Sequence, residues 1–119
     1  MSEHCRVLIV DDNVRARLGL RALLALWPEI EIVGEGADGC EAVQKVRDGQ
    51  PDVVLMDARM PGMDGLEATR RIKDHWPQVR IVTMSMYASH RAEALAAGAD
   101  AFLVKGCPAG ELLAAILEC

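Results

Sequence analysis

The chain has 119 residues, 51% of them hydrophobic and only 3% aromatic, and a formal net charge of −5. That length suits one domain able to bury roughly two-thirds of its unfolded surface, with a core of Val, Ile, Leu, Met and Ala rather than rings. No apolar run reaches the ~18 residues of a membrane span, and no basic cluster is dense enough to hold a nucleic-acid backbone. Cys5, Cys40, Cys107 and Cys119 show neither CxxC nor Cys/His zinc spacing. The amino terminus carries no long apolar segment, so a cytoplasmic setting with free thiols is expected.

In chain order, strand and helix alternate five times. Val7 to Val10 is a wholly apolar run, hence a buried strand, and it ends in Asp11-Asp12. Val14 to Trp27 is predicted helical, with Leu20, Leu23, Leu24 and Trp27 on one face and Arg15, Arg17 and Arg21 on solvated ones, stopped by Pro28. Ile30 to Val33 alternates apolar and polar as a half-exposed edge strand does. Asp38 with Glu41 three positions on has the form of a helix N-cap. Its helix runs to about Asp48, with Val43 and Val46 inward.

Val53 to Met56 is a second apolar run, closing on Asp57 before a Pro61-Gly62 turn. Asp64 and Glu67 repeat the cap, and the helix they open is expected to end near Trp76. Arg80 to Met84 is the fourth strand, closing on Ser85. A weak, Ala-rich helix is expected over about Ser89 to Ala97, stopped by Gly98. Ala101 to Val104 reads as a fifth buried strand ending at Lys105. Pro108 suits a first helical position, with Leu112, Leu113, Ile116 and Leu117 as the apolar stripe. Strands separated by helices of this length imply right-handed crossovers and a parallel sheet covered on both sides.

In such a sheet the strand ends lie along one edge, so Asp11, Asp12, Asp57, Ser85 and Lys105 gather there. With the order 2-1-3-4-5 the acids flank the switch-point crevice. Two unit charges about 4 Å apart repel by roughly 4 kcal/mol at an effective dielectric near 20. A counter-charge is therefore needed; Lys105 supplies one, and a bound cation would supply more. An all-oxygen donor set suits Mg²⁺ better than zinc. Taken singly, Asp57 could be a turn acid, Asp11 a helix cap, Lys105 a solvated lysine and Phe102 plain core. Thr83 competes with Ser85, because both point to the same face of their strand. His4, His75 and His90 fit no nucleophile or ligand pattern and read as surface residues.

The segments VLIVDD (Val7 to Asp12), VVLMDARMPGMDG (Val53 to Gly65), IVTMS and AFLVK (Ala101 to Lys105) together resemble the receiver domain of bacterial two-component response regulators. The resemblance spans all 119 residues as one receiver domain, and implies a flavodoxin-like doubly wound α/β fold with five parallel strands and five helices. WPEIEIVGEGADG, DGLEATRRIK and GADAFLVKG resemble the subfamily whose receiver precedes a LuxR-type helix-turn-helix DNA-binding domain. Carried over residue by residue, the resemblance implies that Asp57 accepts a phosphoryl group from a sensor histidine kinase. Asp12, Asp57 and the backbone carbonyl of Arg59 would ligate Mg²⁺, with Asp11 acting through a metal-bound water. Lys105 would pair with carboxylate and phosphate, Ser85 would turn its hydroxyl to a phosphate oxygen, and Phe102 would follow as the switch aromatic.

Further expectations follow from the same likeness. The chain is a switch rather than a turnover enzyme, and a homodimer would use the first and last helices. This domain would not bind nucleic acid itself. DNA would be reached through a C-terminal domain beyond Cys119, with a free-standing receiver or phosphorelay member as the alternative. Arg59 stands where an aspartyl-phosphate hydrolase usually places a general acid, two residues after the nucleophile. Ser85 and Lys105 are 20 positions apart, about two fewer than the subfamily pattern. The fourth helix should therefore start late and be short, and Tyr87 to Gly98 should be the mobile part.

Overall fold

The computed structural model describes residues 4–117. Five strands, β1 (Cys5–Val10), β2 (Ile30–Gly36), β3 (Val53–Asp57), β4 (Arg80–Ser85) and β5 (Ala101–Val104), form one parallel sheet in the order β2-β1-β3-β4-β5. They alternate with α1 (Val14–Leu24), α2 (Gly39–Gly49), α3 (Gly65–His75), α4 (Arg91–Ala97) and α5 (Ala109–Leu117). This is the flavodoxin-like doubly wound fold that the resemblance implies, with the covered parallel sheet that the strand-helix alternation predicts.

The two faces of the sheet are read directly from the pleat. Val7, Ile9, Val53, Leu55, Val82 and Met84 point to one side, where α1 and α5 cover them with Leu24, Leu112 and Ile116. Leu8, Val10, Val54, Met56, Ile81 and Phe102 point to the other, under Val46 of α2, Ile72 of α3 and Ala94 of α4. A period of two along each strand means that a strand covered on both faces favours apolar residues on both. That is why Val7 to Val10 of β1 and Val53 to Met56 of β3 stand out as unbroken hydrophobic runs.

Three caps set the loops at the carboxyl edge of the sheet. Asn13 accepts from Arg15 N and Ala16 N, Asp38 from Glu41 N, and Asp64 from Glu67 N. Glu41 also accepts from Ala37 N at 2.9 Å, tying the residue before the cap to the first turn of α2.

Several boundaries differ from the sequence reading. α1 ends at Leu24, not Trp27: Leu26 N and Trp27 N donate to carbonyls three residues back, so the tail tightens into turns before Pro28. Trp27 still packs on the α1/α5 side. β2 continues to Gly36 after a register shift opposite Val7 and Leu8. β5 is not fully buried, since only Phe102 is enclosed and Val104 is 39% exposed. It is an edge strand beside a short helix, so its outer positions meet solvent. Pro108 precedes α5 and offers its carbonyl to Glu111 N, while Leu117 lies at 36% exposure. α4 starts at Arg91, two residues after the expected Ser89, following a 3₁₀ turn, Ala88–His90, and its seven residues make it shorter than α1, α2, α3 and α5. Cys40 and Cys107 are free thiols and Cys5 is buried; Cys119 lies outside the described residues. No helix among the described residues is long and apolar enough to cross a membrane.

One buried polar group has no hydrogen-bond partner among the described residues, the Thr83 hydroxyl in the middle of β4. Such a group forfeits about 1–3 kcal/mol of solvation. Thr83→Val keeps the branched shape and removes the hydroxyl, so stability in urea should rise by about 1 kcal/mol. A loss of stability would show that the hydroxyl is bonded after all.

Candidate functional site

Side chains at the ends of β1, β3 and β5 meet because the pleat turns Asp11, Asp57 and Lys105 to the same side as Ile9, Leu55 and Met84. Asp11 is 2% exposed and Asp57 9% exposed. Lys105 Nζ donates to Asp11 Oδ2 at 2.8 Å and lies 3.4 Å from Asp57 Oδ1. Asp12 sits at the open rim, and one carboxylate oxygen from each of Asp11, Asp12 and Asp57 lies within 4.8 Å of the others. Asp11 is not the cap of α1. Asn13 has that role, and Asp11 Oδ1 instead accepts from Asn13 N at 2.9 Å, which fixes the carboxylate for other work.

The electrostatics match this crowding. Burial pushes the Asp57 carboxyl up to about 6 from 3.8, and the Asp11 charge adds to that, with the Lys105 ammonium opposing and Asp12 contributing least. Burial pulls the Lys105 ammonium down, but its hydrogen bond to Asp11 and the charges of Asp57 and Asp11 outweigh this, and the net shift is upward. One lysine is thus shared by Asp11 and Asp57, with Asp12 close by, and the cluster remains short of positive charge. Hard oxygen donors, converging at an edge with one acid open to solvent, fit Mg²⁺, which keeps part of its water shell.

Arg59 is exposed and its guanidinium bridges Asp64 and Glu93, both at 3.1 Å. Phe102 is buried in the layer beneath α2, α3 and α4, paired with Thr83 across the strands. Ser85 is 3% exposed. By alternation it leans away from Asp57, toward α4, and its hydroxyl contacts His90 Nδ1 at 2.6 Å while accepting from Tyr87 N at 3.1 Å.

Two residues escaped the sequence reading. His90, taken for surface, is half-buried against Ser85. Arg17, taken for solvated, donates to the Asp11 carbonyl and pairs with Glu35 at 3.1 Å, joined there by Arg21. Their i, i+4 spacing on α1 was visible, but the Glu35 they meet is on a neighbouring strand, which spacing cannot show.

Comparison with known proteins follows the same lines. The description "response regulator receiver domain" matches residues 7–117. The transcriptional regulatory protein LiaR of Bacillus subtilis is 39% identical over 93% of the chain and 54% of its own length. Among solved structures, the signal receiver domain of the putative response regulator NarL from Mycobacterium tuberculosis superposes with a TM-score of 0.91 at 34% identity, covering 98% of this chain and 96% of that one. A LuxR-family two-component response regulator from Aurantimonas gives 0.87 at 35% identity, over 92% of this chain and 80% of that one. The chain spans about half the length of the curated relatives it matches.

Proposed function

We propose that this chain is a phosphorylation-activated switch, from the premise that it belongs to the response regulator receiver domain family. The observation that carries the reading is the meeting of Asp11, Asp12 and Asp57 at one sheet edge around a single lysine.

Asp57 is the acceptor. Above pH 6 its carboxylate is ionised, yet more basic than an ordinary aspartate, which suits attack on phosphorus. The phosphorus–nitrogen bond of a kinase phosphohistidine breaks as the carboxylate–phosphorus bond forms, and the imidazole leaves. Lys105, already within 3.4 Å of Asp57 Oδ1, neutralises charge on the phosphoryl oxygens. Asp12, Asp57 and the Arg59 carbonyl would hold Mg²⁺, with Asp11 acting through a metal-bound water, and the cation would offset the phosphoryl charge. Ser85 turns its hydroxyl to a phosphoryl oxygen, and Phe102 is the aromatic that responds.

Turning a mostly resting population into a mostly active one needs about 5.5 kcal/mol of differential stabilisation. Charge-assisted bonds from the phosphoryl group to Lys105 and Ser85 are the source. The reading as an aspartyl-phosphate hydrolase is poorly supported: the position for its general acid holds Arg59, bound to Asp64 and Glu93. The kinase partner rests on the family, and the output through a separate DNA-binding domain on the transcriptional regulators the chain resembles; the cytoplasmic setting rests on the amino-terminal sequence. For self-association through α1 and α5, Val14 and Leu18 offer exposed apolar surface at 57% and 58%.

The metal reading is tested by calorimetric titration of Mg²⁺ at several pH values. Cation binding needs Asp57 ionised, so affinity should be level above pH 6 and fall by about tenfold per pH unit well below it. Affinity that holds constant from pH 8 to pH 5 would remove Asp57 from the ligand set.

A further inference from the structure

The hydroxyl of Ser85 has one proton, and the neighbours of the oxygen decide where it goes. Tyr87 N–H donates into the oxygen at 3.1 Å, so the imidazole of His90, at 2.6 Å, is the remaining partner. If His90 Nδ1 carried a hydrogen and donated, the buried hydroxyl proton would have no acceptor among the described residues. The arrangement that satisfies every group has Ser85 Oγ–H donating to a bare Nδ1, with the ring hydrogen on Nε2. Tyr87 packs its ring edge-on to the imidazole, centroids 5.6 Å apart, which holds the ring in place.

We propose that His90 is a positioning residue that latches Ser85 in the resting state. This rests on the phosphorylation reading, in which a phosphoryl oxygen on Asp57 needs the same hydroxyl proton. The proton serves one acceptor at a time, so capture by the phosphoryl group breaks the bond to His90. The consequence is mechanical as well as chemical. His90 closes the 3₁₀ turn Ala88–His90 and immediately precedes Arg91, the first residue of α4. Releasing the imidazole frees this turn from the end of β4. α4 is held inward mainly by Ala94 and Ala97, side chains with little apolar area, so the loss of one bond counts here. Phosphorylation is thereby transmitted to the β4–α4 segment.

The test uses beryllofluoride with Mg²⁺ as a phosphoryl stand-in on Asp57, its binding followed by fluorine NMR. His90→Phe keeps a flat ring but removes the acceptor. It should bind beryllofluoride about three- to tenfold more tightly than the native chain, the scale of one net hydrogen bond. His90→Asn places an acceptor oxygen near the position of Nδ1 and should restore native affinity. In a Ser85→Ala background His90→Phe should have no effect, because the latched group is gone. Nitrogen NMR of the native chain should show His90 Nδ1 as a hydrogen-bonded acceptor that loses its donor when beryllofluoride binds. Unchanged or weaker binding by His90→Phe, or the same effect with and without Ser85, would overturn the latch while leaving Asp57 as the acceptor. Failure of the native chain to take beryllofluoride at all would overturn the phosphorylation reading and the latch with it.

Discussion

Gly65→Ala should destabilise the fold by about 3 kcal/mol or more, well above a typical point substitution. Gly65 is the first residue of α3, and a Cβ built on it would lie 1.8 Å from the backbone oxygen of Asp57 and 2.9 Å from its carbonyl carbon. Neither side can yield cheaply. Gly65 N donates to Ala58 O at 3.1 Å, which fastens the helix start to the residue after β3, and Thr69 Oγ1 donates to Gly65 O at 2.7 Å within the first turn of α3. Relief requires the first turn of α3 to withdraw from the strand that carries Asp57. Gly19→Ala is the matched comparison: it lies within α1 with nothing within 4 Å of its built Cβ, and should stabilise by about 0.5–1 kcal/mol through helix propensity. Urea unfolding of the two variants checks both. Equal stability of Gly65→Ala and the native chain would show that the close approach is not a constraint.

The glycine also explains why so much was legible in the sequence. Asp57, the Pro61-Gly62 turn, the Asp64 cap and Gly65 form one continuous stretch whose spacing fixes a strand end against a helix start. β1 and β3 were readable because burial on both faces leaves no room for polar residues, and Asp11, Asp12 and Asp57 were conspicuous as the charges that end those runs. Lys105 followed from charge balance. Legibility fell at the β5 edge of the sheet. Ala101 to Val104 looks buried because its residues are apolar, yet an edge strand can expose apolar residues at modest cost, and only the tertiary arrangement decides it. α1 was read too long because the apolar spacing persists through Trp27 while the backbone has already tightened into turns. His90 was missed for a different reason. Its partner is the side chain five residues earlier, and a 3₁₀ turn brings the two together, a spacing that neither a strand nor an α-helix would pair.

The second large effect concerns Asp57 itself. Its folded pKa of about 6 lies above the ordinary 3.8, so between those values the folded chain holds a proton that the unfolded chain has lost. Stability from this group is complete below about pH 4 and is lost as pH rises through about 6, a cost on the order of 3 kcal/mol at higher pH. Asp57→Asn removes the charge and keeps the shape. At pH 8 it should therefore unfold at a higher urea concentration than the native chain, with the difference closing near pH 4. The variant thus keeps the fold and lacks the proposed acceptor, which suits the measurement that decides the central claim, intact-mass spectrometry after incubation with acetyl phosphate and Mg²⁺. The native chain should gain one phosphoryl group and Asp57→Asn none; equal addition to both would contradict the assignment of Asp57 as the phosphoacceptor.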